Sequence, residues 1–392
     1  MADEKVFYHF YDLDHAPPTF NAVVQIVSAE IARAETTDCD HTHTIFVPGL
    51  NDGFNWTNEY GVDIKRWRLM SILLPALSLY KTNTSHTLLR TRENASELVD
   101  AAGTYKFPVD YSVDVSSDCA QINTPTLNSY LGYGPKSIAA PKRAIELTKQ
   151  LVNRVCPGQK FITITARGSA HLLQRNSSPE TLINIAKYMQ QQGYFVFFVP
   201  DYDLALQVSD NFIPGAYVAR EISLSLPFRS ALYELASLNI GDGGTAALSY
   251  FNSKCNYIIN NLNWPHKSRD IPKSLRQQGM ALGKGVNYHN TFARWVWPFD
   301  DAQATIDACE EFVAYSQGRS VDVNKYKMSF DEVLLCLSES LGADAVSVIK
   351  SKYSNRQNGP LFINRQFKWE DKRNMSYVIK SADSSNNDFS VF

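Results

Sequence analysis

The sequence predicts an α/β protein of two Rossmann-like domains facing a cleft, with a C-terminal helical extension. Three observations carry this expectation. Short β-branched and aromatic runs alternate with helical-period segments in two successive halves of the chain. Several of those runs are apolar without a break, as in strands covered on both faces of a parallel sheet. The 392 residues also exceed what one hydrophobic core usually organises, and about 150 residues per domain gives two or three domains.

The first half opens with VFYHFY (Val6 to Tyr11), an aromatic strand-like run. A helical stretch follows from Asn21 to Glu35, and then TIFVPGL, whose β-branched residues stop at Pro-Gly. Trp67 to Tyr80 reads as a helix interrupted by Pro75, and Ser85 to Thr91 as another strand. From Asp110 to Lys136 the periodicity weakens and turn residues dominate, which places the domain connection near or just after that stretch. A helix from Ala139 to Val155 leads into KFITITAR, a buried parallel strand. The helix Pro179 to Gln192 carries Leu182, Ile185, Ala186 and Met189 at helical spacing and is stopped by Gly193 before YFVFFVP. Further on come a helix over Phe228 to Ser237, a short strand and glycine turn in LNIGDGG, a helix from Thr245 to Phe251 and the strand NYIINN. Amphipathic helices are expected over Asp301 to Ser316 and Ser329 to Lys352. The resulting division is 1–140, 141–318, a helical extension over 319–377 and a polar, frayed tail over 378–392.

Composition excludes several classes. Hydrophobic residues at 44%, charged residues at 20% and aromatics at 12% describe a globular chain, neither disordered nor fibrous. With 38 Lys and Arg against 40 Asp and Glu, the net charge of −2 provides no global field toward nucleic acid or an anionic membrane. The cysteines at 39, 119, 156, 255, 309 and 336 show no CxxC pairing, so buried thiols are expected rather than a zinc site or a disulfide framework. MADEKVFYHFYD lacks the basic and apolar regions of a signal peptide, and Leu69 to Tyr80 is shorter than the roughly 20 residues of a membrane span. No transmembrane segment and a cytoplasmic location are expected.

Ligands of such folds bind beyond the carboxyl ends of the strands, so the strand-end residues are the candidates. After FITIT comes RGSAHLLQRNSS, holding Arg167, Ser169, His171 and Arg175. Two planar guanidinium groups in a glycine- and serine-containing loop ahead of a helix suit a diphosphate. The competing reading is a solvated loop with Ser177 and Ser178 as helix caps. GDGGTAAL supplies Asp242, Gly243, Gly244 and Thr245 at a second strand-to-helix turn, where glycines admit close backbone approach and Thr245 can cap the helix. It is neither a Walker sequence nor GxGxxG. In VPGLNDGFNW, Asp52 is placed to act as a base toward a sugar hydroxyl, with Asn51 and Trp56 as acceptor contacts. A plain Asn-Asp-Gly turn is the competing reading. His41 and His43 fall two residues apart without a third metal ligand and read as a solvated turn. Asp201-Tyr202-Asp203 has the pattern of a metal-holding DxD, but its place after a second-half strand suits Asp201 to a ribose contact instead, and Asp12-Leu13-Asp14 reads as a chance repeat of the triplet.

The runs ITITARGSAHLLQRNSSPETLINIAKYM, FRSALYELASLNIGDGGTAALSYF and IFVPGLNDGF…KRWRLMSILLPAL resemble the two-domain GT-B nucleotide-sugar glycosyltransferases, especially a group among bacterial surface-polysaccharide enzymes. The resemblance covers most of Thr44 to Phe312. It implies a hexosyl or pentosyl transferase of polysaccharide biosynthesis, with the nucleotide-sugar donor bound mainly by the second domain and a glycan or lipid-linked acceptor by the first. It implies no cofactor and no obligatory metal. Donor contacts are carried onto Arg167, Arg175, Glu234 and the Gly243 to Thr245 turn, although this chain reads GDGGT where the family often reads NNGP, so Asp242 and Thr245 are departures. The competing functions are a GT-B-like nucleotide-sugar epimerase and a non-catalytic nucleotide-sugar or glycan-binding protein.

Overall fold

The computed structural model describes residues 5–35, 38–50, 52–54, 61–114, 116–118, 123–169, 173–241, 244–262, 280–281, 283–355, 359–367, 376–381 and 389–391. Residues 1–136, 276–280 and 329–392 form one compact unit, and residues 137–275 and 281–328 the other.

In the first unit, β1 (Val6–Asp12), β2 (His41–Val47), β3 (Asn83–Leu88) and β4 (Lys106–Phe107) make a parallel sheet in the order β3-β2-β1-β4. The central strand β1 buries both of its faces, so its sequence runs apolar rather than alternating. Phe10, Ile45 and Val47 pack on Ala95, Val99 and Tyr111. The helix Ala22–Glu35 is buried along nearly its whole length, and Arg33 is neutralised inside by Glu30 at 2.6 and 2.9 Å. Where Pro75 was expected to interrupt a helix, a π-helical turn at Leu69–Leu73 precedes a short helix, Leu74–Leu77, that carries the proline in its first turn. Widening the turn accommodates a residue that lacks an N–H and crowds the preceding carbonyls.

The second unit holds six parallel strands: β6 (Phe161–Thr165), β7 (Phe195–Val199), β8 (Tyr217–Val218), β9 (Leu238–Gly241), β10 (Tyr257–Ile259) and β11 (Ala293–Trp295); β5 (Ser116–Asp118) belongs to the first unit. Their order is β11-β10-β9-β6-β7-β8. Numbered from β6 and read from β8, this is the 3-2-1-4-5-6 order of a dinucleotide-binding sheet, whose strand sequence reverses between β6 and β9. Leu182, Ile185, Ala186 and Met189 of the helix Pro179–Gln191 pack on Ile162, Ile164, Val196 and Phe198, as their spacing predicted. The helix Ala302–Ser316 adds Cys309, Phe312 and Val313 to this core, its start capped by Asp301, which accepts the Ala304 N–H at 2.9 Å.

The extension expected after residue 319 is helical over Phe330–Asn355, with Gly342 in the left-handed region (φ +81°) inside it. Beyond the helix the expectation fails. In place of a helical end and a frayed tail lie β12 (Leu361–Phe367), β13 (Ser376–Ser381) and β14 (Phe389–Val391), which pair antiparallel with β5 in the order β14-β13-β12-β5. Buried Asn128 anchors the start of β12, donating Nδ2 to the Leu361 carbonyl at 2.6 Å and accepting the Leu361 N–H at 2.8 Å. Cys39, Cys156, Cys255, Cys309 and Cys336 are buried, as expected. Among the described residues no helix is long and apolar enough to cross a membrane.

Candidate functional site

The reversal of strand order in the second unit lies between the ends of β6 and β9, where Thr165 pairs with Gly241. The chain leaves β6 into the loop bearing Arg167 and Ser169, and it leaves β9 into a 3₁₀ turn, Gly244–Ala246. The sequence-predicted Arg167, Ser169, Gly244 and Thr245 therefore follow the carboxyl ends of the two strands at the reversal, the usual ligand position of such a sheet. Arg175 ends a 3₁₀ turn, Leu173–Arg175, downstream in the first of these loops. His171, Asp242 and Gly243 lie outside the described residues.

The β6 loop is braced by partners that local sequence did not reveal. The Arg167 N–H donates to Ser177 Oγ at 2.9 Å, and Arg167 Nη1 donates to Asn176 Oδ1 at 2.5 Å. Asn176 Oδ1 also accepts the Ser169 N–H at 3.1 Å, while its Nδ2 donates to the Ser169 carbonyl at 3.0 Å. Ser177 thus serves the arginine backbone, and Ser178, at the N-cap position of Pro179–Gln191, makes no side-chain capping bond. Asp201 accepts the Gly168 N–H at 2.9 Å and the Asp203 N–H at 3.3 Å, so its carboxylate joins the ends of β6 and β7. A Cβ on Gly168 would meet Leu204 Cδ1 at 2.5 Å, the end of an exposed side chain that can turn aside.

Two expectations about the β9 turn change. The helix expected from Thr245 begins at Ala247 and spans four residues, Ala247–Tyr250, so it supplies little macrodipole. Thr245 stands inside the preceding 3₁₀ turn, and Gly244 is exposed with no positive φ, which leaves its missing side chain as its contribution. Glu234 accepts hydrogen bonds from the Ala140 N–H, from Asn252 Nδ2 at 3.0 Å and from Lys254 Nζ at 2.6 Å, with 2% of its side chain accessible.

In the first unit the reversal falls between β1 and β4, and there the structure gathers a cluster that the sequence reading set aside. Asp12, the last residue of β1, is held by Arg92 through Nη1 to Oδ1 at 2.8 Å and Nη2 to Oδ2 at 2.9 Å. Arg92 also donates to the Pro48 and Val113 carbonyls at 3.0 and 2.7 Å. The Tyr111 hydroxyl donates to Asp12 Oδ2 at 2.7 Å. Burial and then the Asp12 charge push the Tyr111 phenol far up, so it remains a donor. Asp14 Oδ1 accepts the Leu50 N–H at 2.9 Å, and Asp14 Oδ2 lies 3.2 Å from Nε2 of the equally buried His15. The signal was a charged triplet ending an otherwise apolar central strand.

The loop anchored by Asp14 carries Asp52, which is exposed at φ +51° inside a Gly49 to Gly53 bridge. Asn51 and Trp56 lie outside the described residues. His41 and His43 are in β2 rather than a solvated turn: His43 spans to β3, with Nδ1 2.6 Å from Ser85 Oγ and Nε2 2.9 Å from Thr87 Oγ1. No cluster of three or more metal-ligating side chains occurs among the described residues.

No protein-family model matches the chain, and no curated protein matches it. Among solved structures, the chain is similar to glycosyltransferases. A glycosyl transferase family 9 structure from Veillonella parvula is 10% identical, with 88% of this chain and 98% of that one covered and a TM-score of 0.46. The ADP-heptose LPS heptosyltransferase II of E. coli is 9% identical over 80% of this chain and 99% of its own, with a TM-score of 0.44. A dodecameric iron-containing heptosyltransferase, TibC, solved with ADP-D-beta-D-heptose, is 13% identical over 90% of this chain and 76% of its own, with a TM-score of 0.34. At these scores the fold rests on the strand orders above.

Proposed function

We propose that the chain is a glycosyltransferase that moves a sugar from a nucleoside-diphosphate donor to a glycan or lipid-linked acceptor in polysaccharide biosynthesis. The observation that carries the proposal is the six-strand order of the second unit, with Arg167, Ser169, Gly244 and Thr245 on both sides of its reversal point. The departing diphosphate is the charge such a reaction must stabilise, and Arg167 and Arg175 supply it with cations in a loop already braced by Asn176 and Ser177. On this reading no divalent cation or other cofactor is required. The acceptor is assigned to the first unit, with exposed Asp52 as the proposed base.

Thermal unfolding against a panel of nucleotide sugars tests the reading. A donor at 100 times its dissociation constant raises stability by about 2.7 kcal/mol. Product analysis with the stabilising donor then separates transfer to an acceptor from epimerisation of the free donor and from binding without turnover. A protein that no nucleotide sugar or nucleoside diphosphate stabilises refutes the proposal.

A further inference from the structure

The reversal point of the second unit is tied together from beneath. The β6–β9 ladder ends at Thr165 and Gly241, and a Cβ on Gly241 would lie 3.0 Å from Thr165 Cβ, so glycine lets the threonine lie close against β9. Thr165 Oγ1 is 2.6 Å from the hydroxyl of Tyr233, which also hydrogen-bonds the Thr245 side chain. Tyr233 stands in the last turn of the helix Leu226–Leu235, and helical side chains lean toward their own N-terminus. In a helix that runs back to the start of β9, that lean aims the phenol toward the carboxyl ends of the strands.

The same residue is held at its backbone. Its carbonyl, one of the acceptors a helix end leaves open, accepts Asn239 Nδ2 at 3.0 Å, and Asn239 Oδ1 accepts the Thr163 hydroxyl at 2.7 Å. One turn earlier, the fully buried Arg229 donates Nη2 to the Ser223 carbonyl at 3.0 Å and to the Pro200 carbonyl, just before Asp201, at 3.4 Å. One helix therefore reaches the ends of β6 and β7 through side chains. Burial raises the Tyr233 pKa, so the phenol keeps its proton and serves two hydroxyl neighbours with one donor and its lone pairs.

We propose that Tyr233 is a positioning residue of the diphosphate site, spanning the strand reversal to fix Thr165 and Thr245 and thereby orienting the Thr245 hydroxyl and the Gly244 turn toward the phosphates. The proposal rests on the nucleotide-sugar reading above. Tyr233 itself touches no substrate and acts through Thr245.

The test is calorimetric titration of the full chain with ADP, GDP, UDP and CDP, and with the matching monophosphate of whichever binds. Tyr233→Phe keeps the ring and removes the oxygen. It is expected to weaken diphosphate binding about tenfold, or about 1.4 kcal/mol, while monophosphate binding stays within about twofold. Thr245→Val is expected to behave alike, and the double variant to be no weaker than either single one, because both remove the same link. A Tyr233→Phe protein with wild-type diphosphate affinity overturns the proposal. So does one that loses mono- and diphosphate binding together with its melting temperature, which marks a purely structural tyrosine. Wild-type protein that binds none of the four diphosphates overturns the nucleotide-sugar reading itself, and that outcome is visible before any variant is made.

Discussion

His9 makes the stability of the first unit depend on pH in a direction that can be worked out from its surroundings. The side chain is fully buried in β1, with Nδ1 3.3 Å from Thr44 Oγ1 and the rings of Tyr11 and Phe107 at 6.1 and 6.0 Å. Its Nε2 has no hydrogen-bond partner among the described residues. Burial lowers its pKa from 6.5 to about 3. As the pH falls below about 6.5 the unfolded chain takes up a proton that the folded chain refuses until about pH 3. Over that interval the folded state loses about 1.4 kcal/mol per pH unit, which is about 2 kcal/mol at pH 5 and about 4 kcal/mol near pH 3. The contribution is intact above pH 6.5. The perturbation is His9→Phe, with His9→Leu as a smaller replacement, and the assay is urea unfolding at pH 7 and pH 5. Following β1–β2 peptides by hydrogen exchange reads the first unit by itself. His43 and His289 are also depressed by burial, but they remain in both proteins, so the difference between wild type and variant isolates His9. Wild type is expected to lose about 2 kcal/mol more than the variants between the two pH values. Equal losses refute the reasoning.

The other predictions concern the site and its scaffold. Arg167→Ala and Arg175→Ala are each expected to weaken nucleotide-sugar binding by about 10- to 100-fold, the worth of a charge-assisted hydrogen bond, with little change in melting temperature; calorimetry giving wild-type affinity in both removes them from the site. Treatment with EDTA is expected to leave turnover largely intact, and activity restored only by manganese, together with loss in Asp201→Ala and Asp203→Ala, would show that the metal-holding reading of that triplet was the right one. Asp12→Ala strands the part-buried Arg92 guanidinium and is expected to cost about 2–4 kcal/mol in urea unfolding, somewhat below a fully buried pair; a cost below about 1 kcal/mol would show that the Pro48 and Val113 carbonyls suffice as partners.

The parallel sheets were legible because their signals are local. YFVFFVP and FITIT are apolar on both faces, and the helix Pro179–Gln191 shows its period in four core residues. In the antiparallel sheet β5 was hidden because its three residues pair with β12 from a distant part of the chain, whereas β12, β13 and β14 pair with their sequence neighbours and were a local signal that the reading missed. β8 and β11, of two and three residues, are likewise defined by the strands they lie against. In the site, the two turns at the β6–β9 reversal could be read from glycine, serine and arginine at strand ends. What braces them could not: Asn176, Ser177 and Tyr233 are ordinary helix-start, cap and core residues by sequence, and their partners are set by the fold.

The two Asp-x-Asp triplets show where that limit lies. Each ends a buried parallel strand, and in each the first aspartate accepts the N–H of the second, from Asp14 at 3.0 Å and from Asp203 at 3.3 Å. This is a local turn that aspartate makes at strand ends, so the shared pattern by itself selects no chemistry. The chemistry is decided by what reaches the remaining oxygens. At Asp12 it is a guanidinium from 80 residues away and a phenol from 99, and the result is a buried ion pair that holds the strand end. At Asp201 it is the Gly168 amide from 33 residues away, and the result is a carboxylate held by backbone amides that clasps two loops. The same Asp-x-Asp pattern thus acquires different partners from contacts that no window of sequence contains. The triplet with the pattern of a metal site braces two loops through Asp201, and the one read as chance holds the end of β1 through an ion pair.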